Sequence, residues 1–266
     1  DPGKDHSNTG SQVYYNAFDP LIEKDYANPK AVFKPGLATS WKQVSPTVFE
    51  VALRRDVKFH NGDPMTSEDV VFTFKRILDN TIPEYATIHR EFFANFKTVE
   101  AIDPYTVRFT TEKPEPLFET LLNAAQGSIV PKKYIMGLTG DPNVAEPSDF
   151  DAFALKPVGT GPYKFTEFKP GDILTGERNP DYHIANQPHF DTLEIKGGGD
   201  AVSAARAVLQ TGEYDYAWNL QVEDEVLKRM ETGGRGKISA VVSGDIEFII
   251  LNTTDPWTEV DGERSS

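Results

Sequence analysis

Residues 59–78 read FHNGDPMTSEDVVFTFKRIL, and this stretch decides the fold. Asn61-Gly62 is the dipeptide that most readily takes positive φ, so it marks a sharp turn. Pro64 stiffens the chain after it. Thr66 is placed as a helix N-cap, with Asp69 three residues on in the position of a capping-box acid. Glu68 and Asp69 set negative charge at the positive end of the helix dipole, and Lys75 and Arg76 set positive charge near the other end. Val70, Val71, Phe74, Ile77 and Leu78 recur with helical period and predict one apolar stripe.

Upstream, Phe49, Val51, Leu53, Val57 and Phe59 alternate with Glu50, Arg54, Arg55 and Lys58. That is a half-buried strand, kinked near Arg55-Asp56, and residues 44–51 suggest a hairpin turning at Ser45-Pro46. Farther upstream, Val13 to Ile22 carries a helical period that Asn8, Thr9 or Ser11 could cap, and Glu23 to Pro35 reads as a connecting loop. Downstream, Val99 to Phe109 reads as two short strands about Asp103-Pro104-Tyr105, and Leu117 to Asn123 as a helix started by Pro114-Glu115-Pro116. Residues 137–151 read as a surface loop. In Val158-Gly159-Thr160-Gly161-Pro162-Tyr163 the paired glycines predict a backbone crossing where a side chain would obstruct. Strands are expected at 164–168, 173–177, 190–195, 238–242 and 248–252. Helices are expected at Ala201 to Gln210, with Val202, Ala205, Val208 and Leu209 inward, and at Val222 to Met230, stopped by Gly233-Gly234.

The chain has 266 residues, 38% of them hydrophobic, which suffices for one large or two ordinary domains. Its 17 phenylalanines and 10 tyrosines are unlike a disordered chain. A formal net charge of −14 argues against nucleic acid as a partner, because phosphates need a basic surface, and against an anionic membrane face. With no cysteine there is no disulfide, thiolate metal site or thiol nucleophile. No run approaches the roughly 18 apolar residues of a membrane helix. The opening DPGKDHSNTG has no apolar signal-peptide core, so in an exported protein that peptide has been removed.

No catalytic constellation emerges. Histidines stand at 6, 60, 89, 183 and 189 without an H-E-x-x-H, and His183 and His189, separated by Pro188 and others, have no ligand spacing. There is no G-x-S-x-G elbow. Gly197-Gly198-Gly199-Asp200 lacks the Gly-Lys-Ser/Thr ending of a phosphate loop and reads as a strand-to-helix connection. No catalytic residue, metal or cofactor is expected.

F-H-N-G-x-P-x-T-x-E-D-V resembles the signature of the extracellular solute-binding proteins of the oligopeptide, dipeptide and nickel class, which serve bacterial ABC importers. The resemblance continues through Pro35–Trp41 (PGLATSW), Val99–Thr110, Ile129–Pro131, Pro157–Tyr163, Arg178–Tyr182 (RNPDY) and Thr211–Asp215 (TGEYD), from about residue 13 to about residue 254. It implies a buried strand at 129–130 ending on Pro131 and a strand after Asp215. It implies an α/β architecture of the periplasmic-binding-protein type II-like kind. Lobe I is expected from residues 1–35 and 155–255, a small inserted α+β domain from 36–154, and a truncated tail at 256–266. Family chains are considerably longer, so the second lobe is expected to be absent. The chain is read as a truncated or proteolysed product, with a natural half-length variant as the alternative, and is expected to bind solute weakly, because a ligand is buried only between two faces.

For function, the resemblance implies a periplasmic receptor that holds a peptide and delivers it to an ABC permease in the inner membrane, without chemistry. Other solutes weighed are a nickel chelate, a sugar and an opine-like conjugate; the rival of another class is an exported hydrolase. The residues it implies for ligand are Tyr85 in the insert, Trp218 and Asn219 after the TGEYD step, and, by a loose alignment, His6, Ser7 and Asn8 as a strand pairing with ligand backbone. From the residues themselves Trp218 reads equally well as a core side chain and Tyr85 as a packing contact. A lobe without its counterpart exposes apolar surface and sheet edge, so self-association is expected.

Overall fold

The computed structural model describes residues 1–4, 7–28, 30, 32–79, 89–137 and 152–240, and two short strands at 259–260 and 263–264. Residues 1–198 form one compact unit and 199–266 a second.

In the first unit, helix α1 spans Asn8–Ala17 and is capped by Ser7, whose Oγ accepts from the Gly10 N–H at 2.9 Å. It therefore begins before, and ends before, the expected 13–22. Pro20 explains the end: a residue preceding proline is pushed out of helical φ/ψ, and Phe18 already adopts an extended backbone. Strand β1 (Ile22–Lys24) then pairs antiparallel with β2 (Phe33–Pro35), where a loop was expected. Three residues per strand are too few to show alternation in sequence.

The β3 (Ala38–Ser45) and β4 (Val48–Leu53) hairpin turns at Pro46-Thr47, one residue later than expected, and β5 (Phe96–Asp103) and β6 (Thr106–Thr111) turn at Pro104-Tyr105, as expected. Together they make one antiparallel sheet in the order β3-β4-β6-β5, with helix α2 (Ser67–Leu78) lying between β4 and β5 in sequence. Phe49 opposes Phe109 and Val51 opposes Val107 across β4 and β6, so all four project from one face and are buried. Onto that core α2 packs Val70, Phe74 and Ile77. The Phe74 ring meets Phe93 and Phe109 edge-on, with centroids 5.5 and 5.2 Å away. Phe49 stacks on Phe118 of α3 (Phe118–Asn123) at 3.9 Å.

Helix α2 is buried on more than the expected stripe. Phe72 is also buried, in a separate cluster with Tyr14, Phe18, Val130 and Phe153. Thr73 Oγ1, buried mid-helix, accepts from the Val130 N–H at 3.1 Å. That contact corrects the reading of 129–130 as a strand: this extended segment is satisfied by α2 and by the Asp19 carbonyl rather than by a neighbouring strand. The Asp69 carboxylate closes the helix start. Its Oδ2 accepts from the Thr66 N–H at 2.9 Å, and its Oδ1 accepts from the Lys132 N–H at 3.0 Å, where α4 (Lys132–Gly137) begins. Most of residues 137–151 lie outside the described set.

A second antiparallel sheet runs β7-β8-β9, from Tyr163–Lys169, Ile173–Arg178 and Thr192–Lys196. Strand β9 starts two residues later than expected, leaving Phe190 exposed.

In the second unit, Asp200 caps a helix at Ala201–Arg206 by accepting from the Ser203 N–H at 2.9 Å. One π-helical turn at Ala207–Thr211 extends it. Ala205 and Leu209 pack on Leu227 and Met230 of the helix Asp224–Thr232. Val202 was expected inward but lies a turn before Ala205, outside this cluster and 41% exposed. No strand follows Asp215: residues 216–223 are irregular, and Asn219 takes left-handed φ of 51°, which interrupts an extended run. No strand forms at 238–240 either, since the Ile238 N–H donates to Glu231 Oε1 at 2.9 Å. The strand expected at 248–252 lies outside the described residues. Glu259–Val260 and Glu263–Arg264, within the expected tail, pair as a short antiparallel ribbon.

Candidate binding site

Three of the sequence motifs meet at one backbone crossing. The Gly161 N–H donates to the Ala17 carbonyl at 3.0 Å, bringing the VGTGPY segment against the end of α1. A Cβ on Gly159 would fall 2.0 Å from the Ala17 oxygen, and one on Gly161 2.5 Å from the Ala17 carbonyl carbon. Only glycine permits this approach. His60, from FHNG, spans the pair. Its backbone N–H donates to the Gly159 carbonyl at 2.8 Å, its Nδ1 accepts from the Gly159 N–H at 3.3 Å, and its Nε2 lies 3.0 Å from the Gly161 oxygen. Those partners assign the neutral tautomer with the proton on Nε2. Burial, with Lys164 nearby, pushes the His60 imidazole down to about 4 against the Gly161 bond that favours protonation. Asn179, from RNPDY, donates its Nδ2–H to the same Gly161 oxygen at 3.1 Å.

Beneath the crossing lies a buried carboxylate that the sequence reading did not single out. Asp19 accepts from Thr160 Oγ1 at 2.7 Å and from the Tyr182 hydroxyl at 3.0 Å. Burial outweighs both bonds and pushes its carboxyl up to about 7. Burial and the Asp19 charge raise the Tyr182 hydroxyl above its usual range. His183 Nδ1 lies 3.9 Å from Asp19 Oδ2. Burial, with the Arg54 charge second, pushes His183 down to about 4. Arg54 donates to the His183 carbonyl at 3.2 Å and is itself paired with Asp56 at 2.8 and 3.0 Å. The signal for Asp19 was present as an acid between two apolar residues and a proline, but its partners are more than 140 positions away in sequence.

The ligand residues implied by resemblance are scattered. Tyr85 and His6 lie outside the described residues. Ser7 is exposed and occupied as the α1 cap, and Asn8 is the first residue of that helix, so these two do not form a strand. Trp218 is 39% exposed and outside the buried cluster of its unit, which overturns the core reading. Asn219 follows it in left-handed conformation, and Tyr216 beside it is 70% exposed. Ser7 and Asn8 belong to the first unit, and Trp218 and Asn219 to the second.

Residues 32–260 match the family described as bacterial extracellular solute-binding proteins, family 5 Middle. The chain belongs to this family. Among its relatives, the oligopeptide-binding protein AppA of Bacillus subtilis is 32% identical over 184 residues, covering 69% of this chain and 32% of AppA. The solved structure of DppA from Helicobacter pylori, in complex with the peptide STSA, superposes with a TM-score of 0.70 at 28% identity, over 80% of this chain and 43% of that one. NikZ from Campylobacter jejuni, in complex with Ni(L-His), gives 0.65 at 27% identity, over 80% and 39%. The chain spans less than half the length of each of these proteins. The fold is thus the α/β fold of family 5 periplasmic binding proteins, of which this chain spans a part.

Proposed function

We propose that this chain serves solute capture for an ABC importer, with peptide as the solute. The observation that carries the reading is the family match over 32–260, joined to relatives that are peptide receptors by name or by bound ligand. By this reading residues 1–35 and 155–255 contribute to one lobe, residues 36–154 form an insert, and the facing lobe comes from sequence outside these 266 residues. Closure of two lobes on the ligand is a population shift driven by contacts made to both faces. Trp218 and Tyr216 supply exposed aromatic surface, which suits peptide side chains. Tyr85, Asn219 and the His6–Asn8 segment are proposed as further ligand contacts. The protein acts outside the cytoplasm, in line with the family's extracellular description, and docks on a permease without transforming its cargo.

A second reading, a nickel-chelate receptor, is favoured by the likeness to NikZ. Calorimetric titration separates the two. Peptides of a few residues should bind the full-length receptor, and bind the 266-residue chain much more weakly. Heat from Ni(L-His) with none from any peptide would replace the first reading by the second, and peptide cleavage during the titration would replace both by a hydrolase. Equal peptide affinity in both forms would remove the need for a facing lobe.

A further inference from the structure

Asp19, Glu23 and His183 come from three places in the chain: the segment after α1, strand β1, and the turn after β8. One ligand atom from each lies within 4.8 Å of the others. The His183 side chain is 1% exposed, and neither ring nitrogen has a hydrogen-bond partner among the described residues. Native interiors rarely leave a buried imidazole so unsatisfied, because both nitrogens forgo the bonds that water would give. Its Nδ1 is 3.9 Å from Asp19 Oδ2, too far for a hydrogen bond. Two ligand atoms held at about 2.0–2.2 Å by one zinc ion stand roughly 3.3 Å apart, so small side-chain rotations bring this cluster to coordination distance.

We propose that Asp19, Glu23 and His183 form a site for a divalent first-row cation, with Zn2+ the best match. One imidazole and two carboxylates suit such an ion, whereas Ca2+ and Mg2+ take oxygen ligands. The supporting shell is present: Thr160 and Tyr182 donate to the two Asp19 oxygens and fix the carboxylate plane. The nearby cations do not fill the role. Lys34 Nζ sits 3.1 Å from Glu23 Oε2 at the surface side, and Arg54 is occupied by Asp56. Asp19 and Glu23 together offer the two negative charges that a divalent ion balances. Bound there, the ion staples α1's exit, β1 and the RNPDYH turn together, which is a structural role independent of solute capture.

The test titrates Zn2+ into the chelator-treated chain and follows the melting temperature and the metal content. One zinc per chain is expected, with a rise of about 5 °C or more at saturating metal. Co2+ in its place is expected to give visible absorption bands of low-coordinate geometry. His183→Phe, which keeps a ring but no nitrogen, abolishes the shift and the bands; Glu23→Gln, at a partly exposed position, weakens both without unfolding the chain. His189→Phe, at an exposed histidine, leaves them unchanged. No shift in the unsubstituted chain, or the same shift in His183→Phe and Glu23→Gln, overturns the proposal. If His183→Phe does not fold, Glu23→Gln alone decides.

Discussion

The Nε2 of His60 lies 3.0 Å from the carbonyl oxygen of Gly161, an oxygen that also accepts from Asn179 Nδ2 at 3.1 Å. Three sequence motifs, spread from His60 to Asn179, are joined at this one acceptor. Both donors are side chains held by their own motifs, so the crossing at Gly159–Gly161 is fixed from two sides.

The first prediction concerns pH. His60 has a folded pKa of about 4, below the 6.5 of an unperturbed imidazole. Between those values the unfolded chain binds the proton and the folded chain does not, so stability falls as pH drops from 6.5 toward 4 and is complete above 6.5. The full displacement corresponds to about 3 kcal/mol. Asp19, with its pKa raised to about 7, acts in the opposite sense: it favours folding as pH falls. The His60 part is therefore read from the difference between the unsubstituted chain and His60→Gln in urea melts across pH 4–8. The His60→Gln chain should be the less stable near pH 7, and the gap should narrow on acidification. A gap independent of pH would show that His60 is not held neutral.

Substitution at the crossing should be severe and specific. Gly161→Ala puts a methyl 2.5 Å from backbone carbon at Ala17, and no side-chain rotation relieves a clash with backbone. A loss of more than about 3 kcal/mol is expected, at the upper end of overpacking costs. Gly233→Ala, where a Cβ meets nothing within 4 Å, should stay within about 0.5 kcal/mol of the unsubstituted chain. Denaturant midpoints of the pair check the contrast.

The core behind α2 yields a third prediction. Phe74 is fully buried and its ring meets those of Phe93, Phe96 and Phe109. Phe74→Ala should cost about 3–5 kcal/mol, the range for large aromatic truncations. Phe74→Leu should cost clearly less. Similar losses from both would mean the aromatic cluster is looser than drawn.

Much of this was legible in sequence because the signals were local. The Asn61-Gly62 turn, the Thr66–Asp69 helix start, the β3–β4 and β5–β6 hairpins and the glycine crossing each rest on residues within a few positions of each other. What escaped was set by distant partners. Residues 129–130 look like a strand, yet Thr73 takes the Val130 N–H. Phe72 lies off the predicted stripe because α2 faces two clusters, not one. Asp19 and His183 gave no motif, since their neighbours come from other parts of the chain. Of the implied ligand residues, only the exposure of Trp218 adds a structural argument, because an amphipathic aromatic left in water is available to a ligand.

Trp218 carries the fourth prediction. Trp218→Ala removes surface that is outside any buried cluster, so the melting temperature should move by no more than a few degrees. Peptide affinity of the full-length receptor should fall by at least tenfold, about 1.4 kcal/mol. Loss of stability with affinity intact would return this side chain to a packing role.

Native mass spectrometry of the full-length protein purified from its own cells tests whether this receptor holds peptides. Bound masses that fragment as peptides are expected, at lower occupancy when Trp218 is replaced by alanine. A receptor carrying only a nickel chelate or an opine-like conjugate would contradict it.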